Sequence, residues 1–340
     1  MNTNYTYSDV LIKPKYSEVT SRNDVDLSTK LGNIHLNLPI ITANMKTVTG
    51  PNMAIEANLN GAMGILHRFN TIEQNVEDFK TVREKLEYSN NIGVSIGIKD
   101  EDKRRFEELY DQGAQIFTID IAHGHHIHMK NMLKWIQNEI FRWDKAGRGN
   151  ITLIAGNIAT GDAYYDLAEW GADVIKVGIG PGHACQTRKR TGCGVPQLGA
   201  LEDIHKQRMG MVNGPAIIAD GGIKHVGDIA KALKYADVVM MGSFFAGCSE
   251  TPGNVFRNEE GDFYKVYGGS ASGENKGKNS FIEGITTTTK FKGKSKYLFK
   301  EIKEGLQSAL SYTGSNNLEE FKNNCEFIKV SGPGSKEGHY

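Results

Sequence analysis

Short apolar runs bounded by glycine, asparagine and aspartate recur along the chain at residues 38–43 (LPIITA), 62–67 (AMGILH), 92–98 (IGVSIGI), 115–121 (QIFTIDI), 151–157 (ITLIAGN), 173–178 (DVIKVG), 216–220 (AIIAD) and 237–242 (DVVMMG). Most are apolar throughout rather than alternating, the pattern of parallel strands covered on both faces. Between them, residues 72–86, 101–112, 126–145, 161–170, 198–209 and 226–234 carry apolar positions at helical spacing. Strand and helix signals therefore alternate as far as residue 242. Eight strands in that alternation predict an α/β fold, a (β/α)8 TIM barrel; a doubly wound sheet is the alternative.

Two stretches fall outside the alternation. Residues 1–37 form an N-terminal extension, and residues 250–295 separate the eighth strand from a final helix at 296–310. The second stretch includes GGSASGENKGKNS, a composition that suits an exposed loop. In a barrel it would leave the C-terminal face, where lids sit, so an active-site flap is expected there.

Composition narrows the possibilities. The 340 residues hold 40 Lys and Arg against 40 Asp and Glu, a formal net charge of zero that argues against nucleic acid as a bulk electrostatic partner. Hydrophobic residues at 39% suffice for a core. No apolar run has the length of a membrane span, and MNTNYTYSDV lacks the features of a secretion signal. Four cysteines in so long a chain are too few for a disulfide framework, and a cytoplasmic location is expected.

The unusual residues sit where strands end. After the sixth strand comes GIGPGHACQTRKRTG, in which Cys185 follows a glycine-rich turn and precedes Arg188, Lys189 and Arg190. Cationic neighbours favour a thiolate, the nucleophilic form, so Cys185 is preferred over Cys193, Cys248 and Cys325, which are read as structural. The seventh and eighth strands end in ADGG and GS. Gly221, Gly222, Gly242 and Ser243 there supply donors suited to phosphate, and Asp220 an acceptor for ribose hydroxyls. His123, His125, His126 and His128 follow the fourth strand, but their spacing fits no standard zinc pattern, and Asp120 is the stronger candidate. Arg68 and Asn157 end the second and fifth strands. No G-x-G-x-x-G opens a strand–helix unit, which leaves a nicotinamide cofactor open, since a barrel binds one without a Rossmann unit.

Taken together, KVGIGPGHACQTR with TGCGVPQ, IIADGGI, VMMGSFFAG, YGGSAS, TANMKTV and YSDVLIKP resemble the IMP dehydrogenase/GMP reductase family from about Tyr7 to Tyr312. The resemblance is specific, because several motifs recur in order. It is nearer the reductase branch, in its compact bacterial form. No gap can hold the paired regulatory CBS modules common in the dehydrogenases, so one catalytic domain over residues 1–340 is expected. The flap lacks the Arg-Tyr pair that activates water in those enzymes. His183 and Gly269 depart from the Ser and Met of many relatives, and SGPGSKEGHY is similar to a cation-site segment of bacterial dehydrogenases.

The resemblance implies reductive deamination of GMP to IMP through a covalent thioimidate on Cys185, with Thr187 and Glu283 assisting departure of ammonia. It implies contacts to substrate from Asp220, Gly221, Gly222, Gly242, Ser243, Gly268, Gly269, Ser270 and Gly284. NADPH would meet Arg68, Asp120, Ile121, Ala122, Ile179 and Gly180. Ser21, Arg22, Ser311, Tyr312, Thr313 and Gly314 would reach the cofactor of a neighbouring subunit in a homotetramer. Carbonyls of Gly180, Gly182, Cys185 and Arg188 would hold a potassium ion. Competing expectations are an IMP dehydrogenase without CBS modules, a flavin barrel and a catalytically silent nucleotide sensor.

Overall fold

A strand with no polar face is stable only when both of its faces are covered, and the chain achieves this by closing its sheet on itself. The computed structural model describes residues 4–87, 91–144, 151–269, 284–332, 334 and 337, and within residues 141–144 only the backbone. Its closed barrel runs β1 (Ile40–Thr42), β2 (Met63–Leu66), β3 (Ile92–Ile96), β4 (Ile116–Asp120), β5 (Thr152–Ile158), β6 (Val174–Val177), β7 (Ala216–Asp220) and β8 (Val238–Met241). All neighbouring pairs are parallel, and closure is made by β8 against β1, with Met240 opposite Ile41. The architecture is the expected (β/α)8 barrel.

Inward positions interdigitate as a dry plug of Ile41, Met63, Ile65, Ile116, Ile154, Val174, Ile218 and Met240. The N-terminal extension completes it. Thr29–Leu31 and Ile34–Leu36 form a two-stranded antiparallel hairpin that adds Leu31, Ile34 and Leu36 to the same cluster. A third extension strand, Val10–Ile12, pairs with Phe327–Lys329 near the other end of the chain.

The outer helices are α1 (Pro51–Leu59), α2 (Ile72–Lys85), α3 (Asp100–Asp111), α4 (Ile127–Asp144), α5 (Gly161–Glu169), α6 (Gln197–Met209), α7 (Val226–Leu233) and α8 (Ser295–Tyr312). Caps fix where they begin: Thr71 Oγ1 accepts from the Gln74 N–H and Thr160 Oγ1 from the Ala163 N–H. Helix α1 escaped the periodicity reading because the face it buries is only Met53, Ala54 and Ala57, too small to stand out.

The long β8–α8 connection also differs from expectation. Rather than loop throughout, it carries a three-stranded antiparallel sheet of Phe256–Arg257, Phe263–Gly268 and Thr286–Lys290. The glycine-rich centre of the expected flap, residues 270–283, lies outside the described residues, and Ser270 and Glu283 with it. Among the described residues no helix is long and apolar enough to cross a membrane.

Candidate active site

Two adjoining cavities open at the C-terminal ends of the barrel strands. One, of about 570 Å³, is lined by Arg68, Asp120, Ile121, Ala122, Ile179, Gly180, Cys185, Thr187, Gly269 and Gly284. The other, of about 830 Å³, is lined by His183, Gly222, Gly242, Ser243, Lys224, His225 and Lys292. Asp220, Gly221, Gly182, Pro181 and Tyr267 border both. One elongated ligand can therefore lie across Asp220, with an anionic end among glycines and basic side chains and its other end beside Cys185.

The loop after β6 places the sulfur. The Cys185 N–H donates to the Gly182 carbonyl at 3.1 Å, and the thiol donates to Thr187 Oγ1 at 3.2 Å. Opposite it, Gly284 forms an isolated antiparallel bridge with Cys185, and the Ile285 N–H donates to the Ala184 carbonyl at 3.1 Å. Two of the cations that marked this loop in the sequence make hydrogen bonds elsewhere. Arg188 Nη2 donates to the Val195 carbonyl and Arg190 Nε to Gln186 Oε1. The sulfur's polar neighbour is instead a hydroxyl two residues on. Cys248 and Cys325 are buried, and burial pushes their thiols up, to about 12 and about 11.

Beneath the cavities Asp120, Asn157 and Asp220, each marked in the sequence, are joined by Lys176, which was not. Lys176, 2% exposed, projects from β6 and donates to Asp120 Oδ1 at 2.8 Å, to Asp220 Oδ2 at 2.9 Å and to Asn157 Oδ1. Asn157 Nδ2 donates to Asp220 Oδ2 and to the Gly178 carbonyl, each at 2.8 Å. Burial alone would raise the Asp120 carboxyl, but Lys176 and Arg68 outweigh it and hold the group below its ordinary range. A lone lysine in DVIKVG, two residues from the inward Val174, was the available signal.

Arg68 leans on the Phe69 ring, its Cζ 5.1 Å from the centroid, and Nη2 donates to the Asp120 carbonyl at 3.3 Å. Among the described residues its buried Nε has no hydrogen-bond partner, a donor at the cavity wall. The preceding His67 accepts the Phe69 N–H through Nδ1 and is pushed down to about 4, by burial first and then by Lys46 and Arg105.

Other expected residues are brought together elsewhere. Arg22 Nη1 donates to Ser308 Oγ at 3.3 Å, and the Lys15 N–H donates to the Tyr312 carbonyl. The segment after Ser21 and Arg22 is joined to the chain beyond α8 by an Asp26–Asn317 bridge. Ser21, Arg22, Ser311, Tyr312, Thr313 and Gly314 line neither cavity. The Gly268 N–H donates to Thr47 Oγ1 and the Gly269 N–H to the Ile285 carbonyl, both at 3.0 Å. Thr47 is thus a further support of the Gly268–Gly269 segment, one that the sequence did not single out. Of the histidines, His125 Nε2 pairs with Asp166 Oδ2 at 2.7 Å, and no group of three or more His, Cys, Asp or Glu is placed for a metal among the described residues.

A parallel eight-stranded barrel with a cysteine loop after its sixth strand and a divided cavity across its C-terminal face defines a (β/α)8-barrel protein built to hold a small ligand at the strand ends. The model of the IMP dehydrogenase / GMP reductase domain matches residues 4–340. Relatives named GMP reductase include those of Lactobacillus acidophilus, 38% identical over 94% of this chain and 92% of its own length, and Acidovorax sp., 37% identical over 92% of each. That of Albidiferax ferrireducens is 35% identical over 98% of each chain. The chain belongs to the IMP dehydrogenase/GMP reductase family.

Proposed function

We propose that this chain is a cytoplasmic GMP reductase that uses NADPH to convert GMP to IMP and ammonia, a step of purine nucleotide interconversion and salvage. The observation that carries the reading is Cys185 with Thr187 at the wall of the smaller cavity, continuous past Asp220 with the glycine- and cation-lined one. A purine nucleotide fits that division by chemistry. Its phosphate suits Gly222, Gly242 and Ser243, its ribose hydroxyls suit the Asp220 carboxylate, and its base suits Gly268, Gly269, Ser270 and Gly284 beside the sulfur.

The chemistry needs a covalent step because C2 of guanine must lose an amine before it can accept a hydride. Cys185 Sγ attacks C2 as the thiolate, and the C2–N bond to the exocyclic amine breaks. Ammonia leaves once protonated, and the Thr187 hydroxyl and Glu283 are the groups assigned to move that proton. Hydride addition at C2 of the thioimidate then expels the sulfur as thiolate and leaves IMP. With one further proton consumed, GMP and NADPH become IMP, NH3 and NADP+.

The smaller cavity fits the cofactor: the unpartnered Arg68 Nε offers a donor, and Asp120, Ile121, Ala122, Ile179 and Gly180 complete a half-polar wall. Bound there, reduced nicotinamide supplies the hydride. The patch of Ser21, Arg22 and Ser311–Gly314, away from both cavities, suits contact with the cofactor of an adjacent subunit in a homotetramer. Carbonyls of Gly180, Gly182, Cys185 and Arg188 suit potassium by donor type. Those of Gly182 and Arg188 each accept one backbone N–H, which leaves a second lone pair. The whole chain acts as one catalytic domain in this reading.

One assay tests it. GMP with NADPH should consume NADPH and yield IMP and ammonia in equal amounts. No GMP-dependent NADPH loss, with XMP formed from IMP and NAD+, would replace the reading with IMP dehydrogenase.

A further inference from the structure

A buried lysine between two aspartates rarely arises from packing alone. Desolvating the three groups costs more than apolar side chains of the same volume would, so stability does not explain it. The local structure nevertheless makes room for it. Lys176 lies opposite Gly156 on β5, where a Cβ would stand 2.6 Å from the Lys176 carbonyl oxygen and 2.7 Å from its Cβ. All three ammonium hydrogens are used, one each on Asp120, Asn157 and Asp220. The two carboxylates face different tasks. Asp120 ends β4 and lines only the cavity that contains Cys185 and Arg68, whereas Asp220 ends β7 and borders both cavities.

We propose that Lys176 is the positioning residue of the site, one cation that fixes the sugar-side Asp220 and the reaction-side Asp120 as ionised acceptors in a single frame spanning β4, β5, β6 and β7. Its role toward substrate rests on the GMP reading above; the frame itself does not. The other charged or titratable groups that line the two cavities are Arg68, Lys99 and Cys185 in the smaller, His183, Lys224, His225, Lys292 and Glu301 in the larger, and Tyr267 in both. Arg68 reaches the Asp120 main chain, and Asn157 donates to Asp220 without adding charge, so Lys176 is the cation that touches both carboxylates. With Lys176 gone, two carboxylates share a buried floor without their countercharge, an arrangement that favours protonation of one of them.

The test compares Lys176→Met, Lys176→Arg and the double variant Asp120→Asn with Lys176→Met. GMP binding by calorimetry between about pH 5.5 and about pH 8.5 spans the window in which such a shared proton titrates. Wild type is the reference for the comparison, because it carries the pH dependence of the GMP phosphate itself, whose second ionisation lies at about 6. Lys176→Met should bind about tenfold or more weakly at neutral pH and gain affinity as pH rises, and the acid limb of its kcat/KM profile should move up by about one unit or more. Lys176→Arg should keep the wild-type limb even if its affinity falls. A Lys176→Met profile that superposes on wild type after scaling, or a limb moved equally by Lys176→Arg, would overturn the proposal.

Failure of wild type to bind GMP would remove the substrate reading and leave the frame to a measurement without substrate. Relative to wild type, the melting temperature of Lys176→Met should rise as pH falls from about 8 to about 6, because folding then captures a proton. The double variant, with one carboxylate removed, should lose that slope. Equal slopes in all three proteins would overturn the frame. Should Lys176→Met not fold, folding of the double variant is the expected rescue; failure of both would assign Lys176 to packing and end the proposal.

Discussion

Gly284 lies opposite Cys185 in a short antiparallel bridge, so the returning end of the β8–α8 connection is fastened to the loop that carries the sulfur. The residue before Gly284 is Glu283, the carboxylate assigned to help ammonia depart. A three-stranded sheet holds both ends of the intervening segment, with Gly268 paired to Thr286. The two described ends of the connection are thus anchored by main-chain hydrogen bonds rather than by side-chain packing alone.

If Cys185 is the nucleophile, Cys185→Ala should bind GMP with near wild-type affinity and show no turnover. Cys193→Ala, Cys248→Ala and Cys325→Ala should keep activity, with the two buried positions losing some stability. Mass spectrometry of the wild-type protein trapped with GMP should find the adduct on the peptide containing Cys185. Turnover in Cys185→Ala would end the covalent mechanism.

Thr187 and Glu283 should act on the deamination half of the reaction. Glu283→Gln keeps shape and removes the ionisable group, and a positioned acid–base group contributes roughly 10²–10⁴-fold. Deamination followed by rapid quench should therefore slow by about that factor while the Kd for GMP stays nearly constant. Thr187→Val, which removes the acceptor of the Cys185 thiol, should slow the same step. A change confined to affinity would reassign Glu283 to recognition of the base.

The barrel was legible because its strands are continuous apolar runs separated by helical spacing, a signal that tertiary context cannot easily overrule. What stayed hidden was whatever depended on a partner distant in sequence. Thr286–Lys290 is four threonines and a lysine with alternating exposure, and nothing local says that Phe263–Gly268 will pair with it. Lys176 reads as an ordinary charge until β4 and β7 bring Asp120 and Asp220 to it. The hydrogen bonds of the basic run after Cys185 were likewise not legible. Adjacency in sequence suggested a cationic pocket for the sulfur, yet Arg188 and Arg190 bond to Val195 and Gln186.

His67 should make stability depend on pH. Folded, it titrates at about 4; unfolded, near its ordinary 6.5. Between those values the unfolded chain binds a proton that the folded chain does not, so stability falls as pH drops from 6.5 toward 4. The full contribution is about 3 kcal/mol, at roughly 1.4 kcal/mol per pKa unit. Urea denaturation of wild type and His67→Gln across this window should show a shallower slope for the variant. Parallel slopes would mean that His67 is not held neutral.

Gly178 should accept no side chain. A Cβ there would stand 2.1 Å from the Asp220 carbonyl oxygen, and its φ of +154° is one that other residues rarely adopt. Gly178→Ala must therefore displace the end of β7 or the loop after β6, and strain of this kind costs on the order of 1–3 kcal/mol. Both a lower melting temperature and a raised KM for GMP are expected, because Asp220 moves with its own main chain. Wild-type values for both would show that the loop yields without disturbing the site.

The fate of the thioimidate separates the two branches of the family, and the composition of the flap predicts which one this chain follows. Water attack at C2 needs a base held against the intermediate, and residues 271–280 (ASGENKGKNS) contain Glu274, Lys276 and Lys278 but no Arg-Tyr pair. Glu274 is the single carboxylate of that stretch. Hydride attack should then outrun hydrolysis. Supplied with IMP and NAD+, the protein should form little XMP by chromatography, while GMP with NADPH turns over readily. Glu274→Gln should leave that turnover unchanged. Robust XMP output that Glu274→Gln abolished would identify Glu274 as a hydrolytic base and move the chain to the dehydrogenase branch, with Cys185 keeping its role.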